Sequence, residues 1–539
     1  MASGRFKNGT VDDPAGVEIF DFFFGRCTEP NTHKCACGSV LKFKTSKGYS
    51  PGVTHVKNLH SDWLSVMQEK LKNPAGTIDG FVTFVKDRAK DIYGWIDWTI
   101  TSNLPFSFVE QETNRRYSKL GKISRNTLTK YMEKITERIV IKLTAELTGK
   151  FLGLLFDGWS EDGLHMVAIF AVYEGPDGNA ILRLLAVAPM LDETSFDADT
   201  HIAFLESTLA LYGLSLAVIS FICADNCPTN LSIATKTGKI FFGCNSHRFN
   251  LGVNVILETP EMAESLAAIE RLMIKLRTLK CSARLRLLTP LTAKKRNVTR
   301  WSSAMNMAVR YDKLRQLQLQ TCLEEDDFDF LLSPAMDRRI TRLLPILDNL
   351  QCITKELQKA NGVSLLTVRM LFDYAVNDYP QLAPSLSSDA SIVYDPVLEA
   401  AVVLVLDGKE SELTAAQAHK IELFLKVDRP VVADERELSY AERARAHKAQ
   451  RVGPGESKYI NLAWIPPTTN HVERFFSRLK LVFSDRRKSL LPKHLEAVLY
   501  LLINRDLWDV REVNDILNKG EVEDDPAVID GDNDDDAEF

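Results

Sequence analysis

Two aspartates stand where chemistry can be done. Asp157 closes an apolar run in Phe156-Asp157-Gly158-Trp159-Ser160, and Asp225 closes another in Cys223-Ala224-Asp225-Asn226. Carboxylates at the ends of adjacent central strands can point at one another, and they repel unless cations sit between them. A pair of divalent ions about 3.5–4 Å apart answers that repulsion and suits phosphoryl transfer. Mg²⁺ or Mn²⁺ fits such an oxygen donor set. Glu473, in Thr469-Asn470-His471-Val472-Glu473-Arg474-Phe475-Phe476-Ser477, is the candidate third acid, near the start of a helix. The alternative for the aspartates is turn formation or capping. For Glu473 it is a surface acid favoured by a helix N-terminus.

A second set of ligand types lies near the front of the chain. Cys35 and Cys37, then His55 and His60, give C-x-C followed by H-x₄-H. Two thiolates and two imidazoles suit a structural Zn²⁺. Phe20, Phe22, Phe23 and Phe24 supply a small aromatic core for a unit too small to fold without metal. Cys27 or His33 is the alternative ligand, and a finger without zinc is the other reading.

The surrounding elements must hold these groups in place. Residues 151–157, 164–174 and 180–190 read as three strands, the last two joined by a Gly175-Pro176-Asp177-Gly178 hairpin. Residues 199–213 read as a helix, and 216–226 as a strand buried on both faces. Residues 229–238 are a short helix and 240–246 a fifth strand. Before them, 64–150 is helical, with Ser124 or Asn126 placed to cap. After them, 247–430 is mainly helical, 428–459 is an exposed connection, and helices follow over 470–482 and after Pro492. Three antiparallel strands, helix, strand, helix, strand is the order of a ribonuclease-H-like α/β fold, here interrupted by helices.

The chain has 539 residues, 45% hydrophobic and 26% charged, a balance that supports a sizeable core. No apolar run is long enough to span a bilayer, so no membrane partner is expected. Nine cysteines without a signal-like N-terminus favour a reducing compartment. The net charge of −6 conceals two opposite regions. Ten acids lie between Glu521 and Phe539, a stretch of disordered composition. Ten bases and no acid lie between Arg271 and Arg300, Lys294, Lys295 and Arg296 among them. That cluster suits nucleic-acid phosphates, with a solvated helix face as the alternative.

The segments LLFDGWS, ICADNCPTN, GCNSHRFNL, NVTRWSS and NHVERFFSRLKLVFSDRRKSLLPKHLEAVLYLLINRDLW occur in the order seen in hobo/Activator (hAT) transposases, and the chain resembles that family over roughly 120–310 and 460–509. The resemblance implies that Asp157, Asp225 and Glu473 are the catalytic triad. It implies hydrolysis at transposon ends, hairpin formation on the flanking DNA, and strand transfer by the freed 3′-hydroxyl. Cys244 and His247 match the family's Cys-x-x-His motif beside the active site; by themselves they read as a core thiol and a helix-cap histidine. Arg300 and Trp301 match its Arg-Trp pair, and a Trp there would stack on a flipped base, with core packing as the alternative. GYSPGVTHVKNLHSDW resembles the His-bearing helix of a BED-type finger, although one residue between the cysteines is tighter than the usual two.

The expected organisation is a finger over 17–63, a helical DNA-binding linker over 64–150, the first part of the core over 151–300, and a helical insertion over 301–460. Core completion and a dimerisation region follow over 461–510, then an acidic tail over 511–539. The expected protein is a nuclear, metal-dependent transposase acting on double-stranded DNA as a dimer or larger homo-oligomer. The alternative is a domesticated DNA-binding regulator that no longer cleaves.

Overall fold

The computed structural model describes residues 14–26, 31–35, 37–72, 85–161, 163–297, 300–426, 457–483 and 490–523. Cys27, the acidic run beyond residue 523 and most of the 428–459 connection lie outside the described residues. The chain divides into two compact units, Met1–Ile139 with Ala497–Phe539, and Val140–Glu496.

The first unit begins with a helix over Gly16–Phe23 and a three-stranded antiparallel sheet of β1 (Phe24–Arg26), β2 (Thr32–Cys35) and β3 (Val40–Lys42). A helix over Ser50–Leu59 packs against the first. Ile19, Phe20, Phe23, Phe24 and Val56 form their buried core, and the rings of Phe20 and Phe24 stack at 4.8 Å. Further along, Ser124 does the capping: its Oγ accepts from the Thr127 amide at 3.0 Å, at the head of the helix Arg125–Leu147. The same unit holds the helix Asp87–Thr101, whose Asp97 receives Arg505 at 2.8 Å. The Arg505 guanidinium also lies 4.2 Å from the Trp508 ring.

The second unit is α/β, built on a mixed five-stranded sheet. Its strands are β4 (Leu152–Glu161), β5 (Leu164–Glu174), β6 (Ala180–Pro189), β7 (Ile219–Ala224) and β8 (Ile240–Gly243), in spatial order β6-β5-β4-β7-β8. β4, β5 and β6 pair antiparallel, while β4 with β7 and β7 with β8 are parallel. The antiparallel part needs only tight turns. Between β5 and β6 the Gly178 amide bonds to the Gly175 carbonyl at 3.0 Å, and Gly178 has φ of 78°, the left-handed region that glycine occupies freely. The parallel part needs crossovers, which the helices Ala198–Leu211 and Pro228–Thr237 supply. Asp197 caps the first of these, accepting from Thr200 N at 2.9 Å.

The strand ends fall close to where the sequence placed them, with three shifts; the fifth strand, expected over 240–246, stops at Gly243 because Asn245 begins the next helix. β4 runs four residues past Asp157 as an arm of the β4–β5 hairpin. The run 216–226 shortens, because Leu216–Val218 forms a 3₁₀ turn before β7 begins. Residues 245–406 then fold mainly as helices, among them Asn245–Leu257, Pro260–Leu276, Leu279–Leu288, Trp301–Leu314, Pro334–Leu357 and Leu365–Asp378. Their apolar faces share one core that includes Phe249, Leu272, Trp301, Leu347 and Phe372. The helix Asn470–Val482 then packs against β4.

Gly153 is where β4 meets β7 most closely. A Cβ there would lie 2.2 Å from Cζ of the buried Phe221 ring. Gly153→Ala is expected to destabilise the protein by about 1–3 kcal/mol through overpacking; an unchanged denaturation midpoint would contradict this packing.

Candidate functional site

The register of the parallel pair decides where the aspartates lie. Leu154 pairs with Ile222 and Leu155 with Cys223. Asp157 and Asp225 each lie two residues further on, so they occupy matching positions on one face of the sheet. The burial of β4 changes at the same point: Leu152–Phe156 is buried on both faces, and from Asp157 onward the strand is partly exposed. Asp157 thus sits where the core ends.

The third acid is brought in by a stitched loop. Asn245 donates from its backbone and side chain to the Pro467 carbonyl, at 3.1 and 2.9 Å. The Cys223 thiol donates to the Pro466 carbonyl at 3.4 Å. Asn470 Nδ2 donates to Ser246 Oγ and to the Leu357 carbonyl, both at 2.8 Å. These bonds fix the start of the Asn470–Val482 helix beside the ends of β7 and β8, and Glu473 projects from its first turn.

Cys244 and His247 serve the same construction. Cys244 is buried, and its sulfur accepts from Thr469 N at 3.3 Å and Thr469 Oγ1 at 3.1 Å. Burial, with Asp225 nearby, pushes the Cys244 thiol up to about 12, so it stays protonated. His247 Nδ1 stands 3.4 Å from Asp225 Oδ2, and Thr469 Oγ1 donates to Asp225 Oδ1 at 3.4 Å. The pair therefore braces the acids. Thr469 and Asn470 were not singled out in the sequence; their signal was their position immediately before a helix, where side chains commonly cap.

The electrostatics are those of acids short of counter-charge. Asp157 is pushed up to about 8, first by burial and then by repulsion from Asp225, with Glu473 adding to it. It keeps some solvent contact, yet protein surrounds it densely enough for desolvation to lead. The Gly158 amide, 2.8 Å from Asp157 Oδ1, opposes the rise. Glu473 is raised by burial and lowered by Arg300, whose Nη2 lies 2.7 Å from Glu473 Oε2. Arg300 was expected at a DNA surface; here its guanidinium is held by an acid of the cluster.

Trp301 and Arg296 differ from expectation. Trp301 is 4% exposed and packs edge-on to Phe249 at 6.4 Å. A ring so enclosed belongs to the core rather than to an open stacking platform, because the turn that starts the Trp301–Leu314 helix points it inward. Arg296 pairs with Glu270 at 2.9 Å, whereas Lys294 and Lys295 are exposed.

In the finger, Cys35, Cys37, His55 and His60 bring their ligand atoms within 4.8 Å of one another. Cys35 Sγ is 3.5 Å from His60 Nε2, and Cys37 Sγ is 3.3 Å from His55 Nε2. Tetrahedral Zn²⁺ with ordinary bond lengths needs ligand separations of about 3.3–3.8 Å, so the cluster could hold zinc. Cys37 is held well below the ordinary thiol range, first by a hydrogen bond with Cys35 and also by His60 and Ser39. A ready thiolate is what a metal requires. His33 is turned elsewhere, its Nε2 3.2 Å from the Phe43 carbonyl. Among the described residues no other group of His, Cys, Asp and Glu is gathered so tightly. Asp157, Asp225 and Glu473 are more widely spread than these four.

Neither protein-family models nor curated proteins give a match to the chain. Among the described residues no helix is long and apolar enough to cross a membrane.

Two measurements check these sites. Elemental analysis of the full chain is expected to find one zinc, lost in Cys35→Ser and in His60→Ala; full zinc content in either variant would exclude the four-ligand site. The second concerns pH. In chelator, folded Asp157 keeps its proton up to about pH 8, whereas the unfolded chain loses it near the ordinary value of 3.8. The native state then binds more protons, so stability falls as pH rises through that window. Asp157→Asn should remove the penalty, stabilising the chelated protein by on the order of a few kcal/mol above about pH 8 and by little below about pH 4. An equal effect at both ends of the window would contradict the assignment.

Proposed function

We propose that this chain is a metal-dependent DNA transposase of the hAT kind, with a ribonuclease-H-like core interrupted by helices and a BED-like zinc finger. The observation that carries the reading is the register of β4 with β7, which puts Asp157 on β4 level with Asp225, the residue just past the end of β7, with Glu473 in the same electrostatic field. Strand order β6-β5-β4-β7-β8, with the first three antiparallel and the last two parallel, supports the ribonuclease-H-like description. The five family-like segments support it too, since all five contribute residues at this place in the fold.

Asp157, Asp225 and Glu473 would hold Mg²⁺ or Mn²⁺. The fit rests on their hard oxygen donors and on the burial and the repulsion from Asp225 that raise Asp157. Bound ions would stabilise the attacking and leaving oxygens of a phosphodiester. The chain's own groups do the rest. Thr469 and His247 orient Asp225. Arg300 neutralises Glu473 until another cation replaces it, after which its guanidinium is free to meet a phosphate. Cys244 holds Thr469 in position. The substrate in this reading is double-stranded DNA, at transposon ends and at the target, handled in the nucleus by a homo-oligomer.

A second reading, a DNA-binding regulator that no longer cleaves, is favoured by one observation. The Arg300–Glu473 ion pair occupies the third acid, and a retained pair would keep the site silent.

The discriminating experiment is cleavage of duplexes built from the DNA that flanks the gene. Nicking is expected with Mg²⁺ or Mn²⁺ and not with EDTA. Asp157→Asn, Asp225→Asn and Glu473→Gln should each lower it by orders of magnitude while leaving DNA binding intact. Cleavage that persists in Asp157→Asn would reject the transposase assignment, and binding without cleavage by the unaltered chain would select the regulator.

A further inference from the structure

The basic stretch 271–300 does not act as one surface. Half of its ten cations are already committed to acids. Lys275 meets Asp327 at 2.6 Å, Lys280 and Arg284 share Glu324 at 3.6 and 3.5 Å, Arg296 meets Glu270, and Arg300 meets Glu473. Among the described residues, Arg271, Arg277, Arg286, Lys294 and Lys295 have no acidic partner. Four of these five, Arg277, Arg286, Lys294 and Lys295, line a single open cleft of about 570 Å³. All four are exposed. Ser282 and Asn306 add neutral polar groups to its wall, and no acid lines it.

The cleft is adjacent in the chain to Arg300, which reaches Glu473. Its wall includes Asn297 and Ser303. The next cleft is lined by Arg300, Trp301, Ser302, His247 and Glu473. The start of the Trp301–Leu314 helix lines both, with Ser303 and Asn306 in the first and Trp301 and Ser302 in the second. That turn is pinned: Ser303 Oγ accepts from Asn297 N at 2.9 Å and donates to the Arg300 carbonyl at 2.8 Å. Two guanidiniums and two ammoniums around open solvent, without acids, form a site for more than one phosphate.

We propose that this cleft is a backbone clamp. It holds successive phosphates of the DNA strand whose scissile phosphate lies at Asp157, Asp225 and Glu473, the strand crossing the Trp301 turn between the two sites. The inference rests on the function proposed above for its choice of DNA. It assigns Arg277 and Arg286 as phosphate ligands beside Lys294 and Lys295, and it leaves Arg296 out because Glu270 already holds it.

The test is the salt dependence of duplex binding by the full chain, read by fluorescence anisotropy. Arg277→Gln/Arg286→Gln/Lys294→Gln/Lys295→Gln should make the log–log slope shallower by about 3–4 and weaken binding roughly a hundredfold or more near 100 mM salt. Arg277→Lys/Arg286→Lys should keep the slope, and Arg296→Gln should change it by less than about one unit. Thermal melts of all variants should match the unaltered chain. An unchanged slope in the fourfold variant overturns the clamp, even if the unaltered chain cleaves DNA. A slope lost in that variant, from a chain that binds but never cleaves, upholds the clamp while the transposase reading falls. Tighter binding of structured RNA than of duplex DNA through these four cations would overturn the DNA assignment.

Discussion

The parallel pairing of β4 with β7 is the constraint from which the rest follows. It sets Asp157 level with Asp225, and that neighbour, together with burial, disfavours the charge on Asp157. Such an arrangement is unstable by itself, and the surrounding chain compensates for it. The Gly158 amide reaches Asp157, Thr469 and His247 reach Asp225, and Arg300 takes Glu473. Close approach of the strands depends on Gly153, whose missing side chain makes room for Phe221. A sheet without this electrostatic difficulty would have no need of the buried Thr469–Cys244 contact or of an arginine drawn in from the helices.

The helices that separate β8 from the last acid acquire a role from the same constraint. They close around their own core, in which Trp301 is a member, and they deliver Arg300 to Glu473 over a sequence separation of 173 residues. The loop before Asn470 is tied to Asn245, Ser246, Cys244 and Leu357. Glu473 is thus positioned by both the sheet and the helices, and movement of either would shift it. On the proposed reading, this coupling links engagement of DNA by the helices to assembly of the carboxylate site.

Much of this was legible in the sequence because the relevant signals were local. Continuous apolar runs marked β4 through β7, Gly-Pro-Asp-Gly marked a hairpin, and an aspartate marked where the apolar runs of β4 and β7 stop. The finger was legible in its Cys and His spacing, and the structure gathers the four side chains that the spacing named. What escaped was tertiary. Nothing in Arg300-Trp301 says that the arginine turns to Glu473 while the tryptophan turns into the core. The division of the basic stretch into paired and open cations depends on Glu270 just before it, and on Glu324, Asp327 and Glu473 from segments further along the chain. Thr469 escaped because its partners, Asp225 and Cys244, are more than 200 residues away.

The central claim is that divalent ions complete the carboxylate cluster and displace Arg300 from Glu473. Anomalous scattering from crystals of the full chain with Mn²⁺ tests it most directly. The account predicts manganese peaks between Asp157 and Asp225, Glu473 turned toward them, and the Arg300 guanidinium released from its carboxylate. Absence of manganese there at a saturating concentration, with the Arg300–Glu473 pair intact, would contradict it.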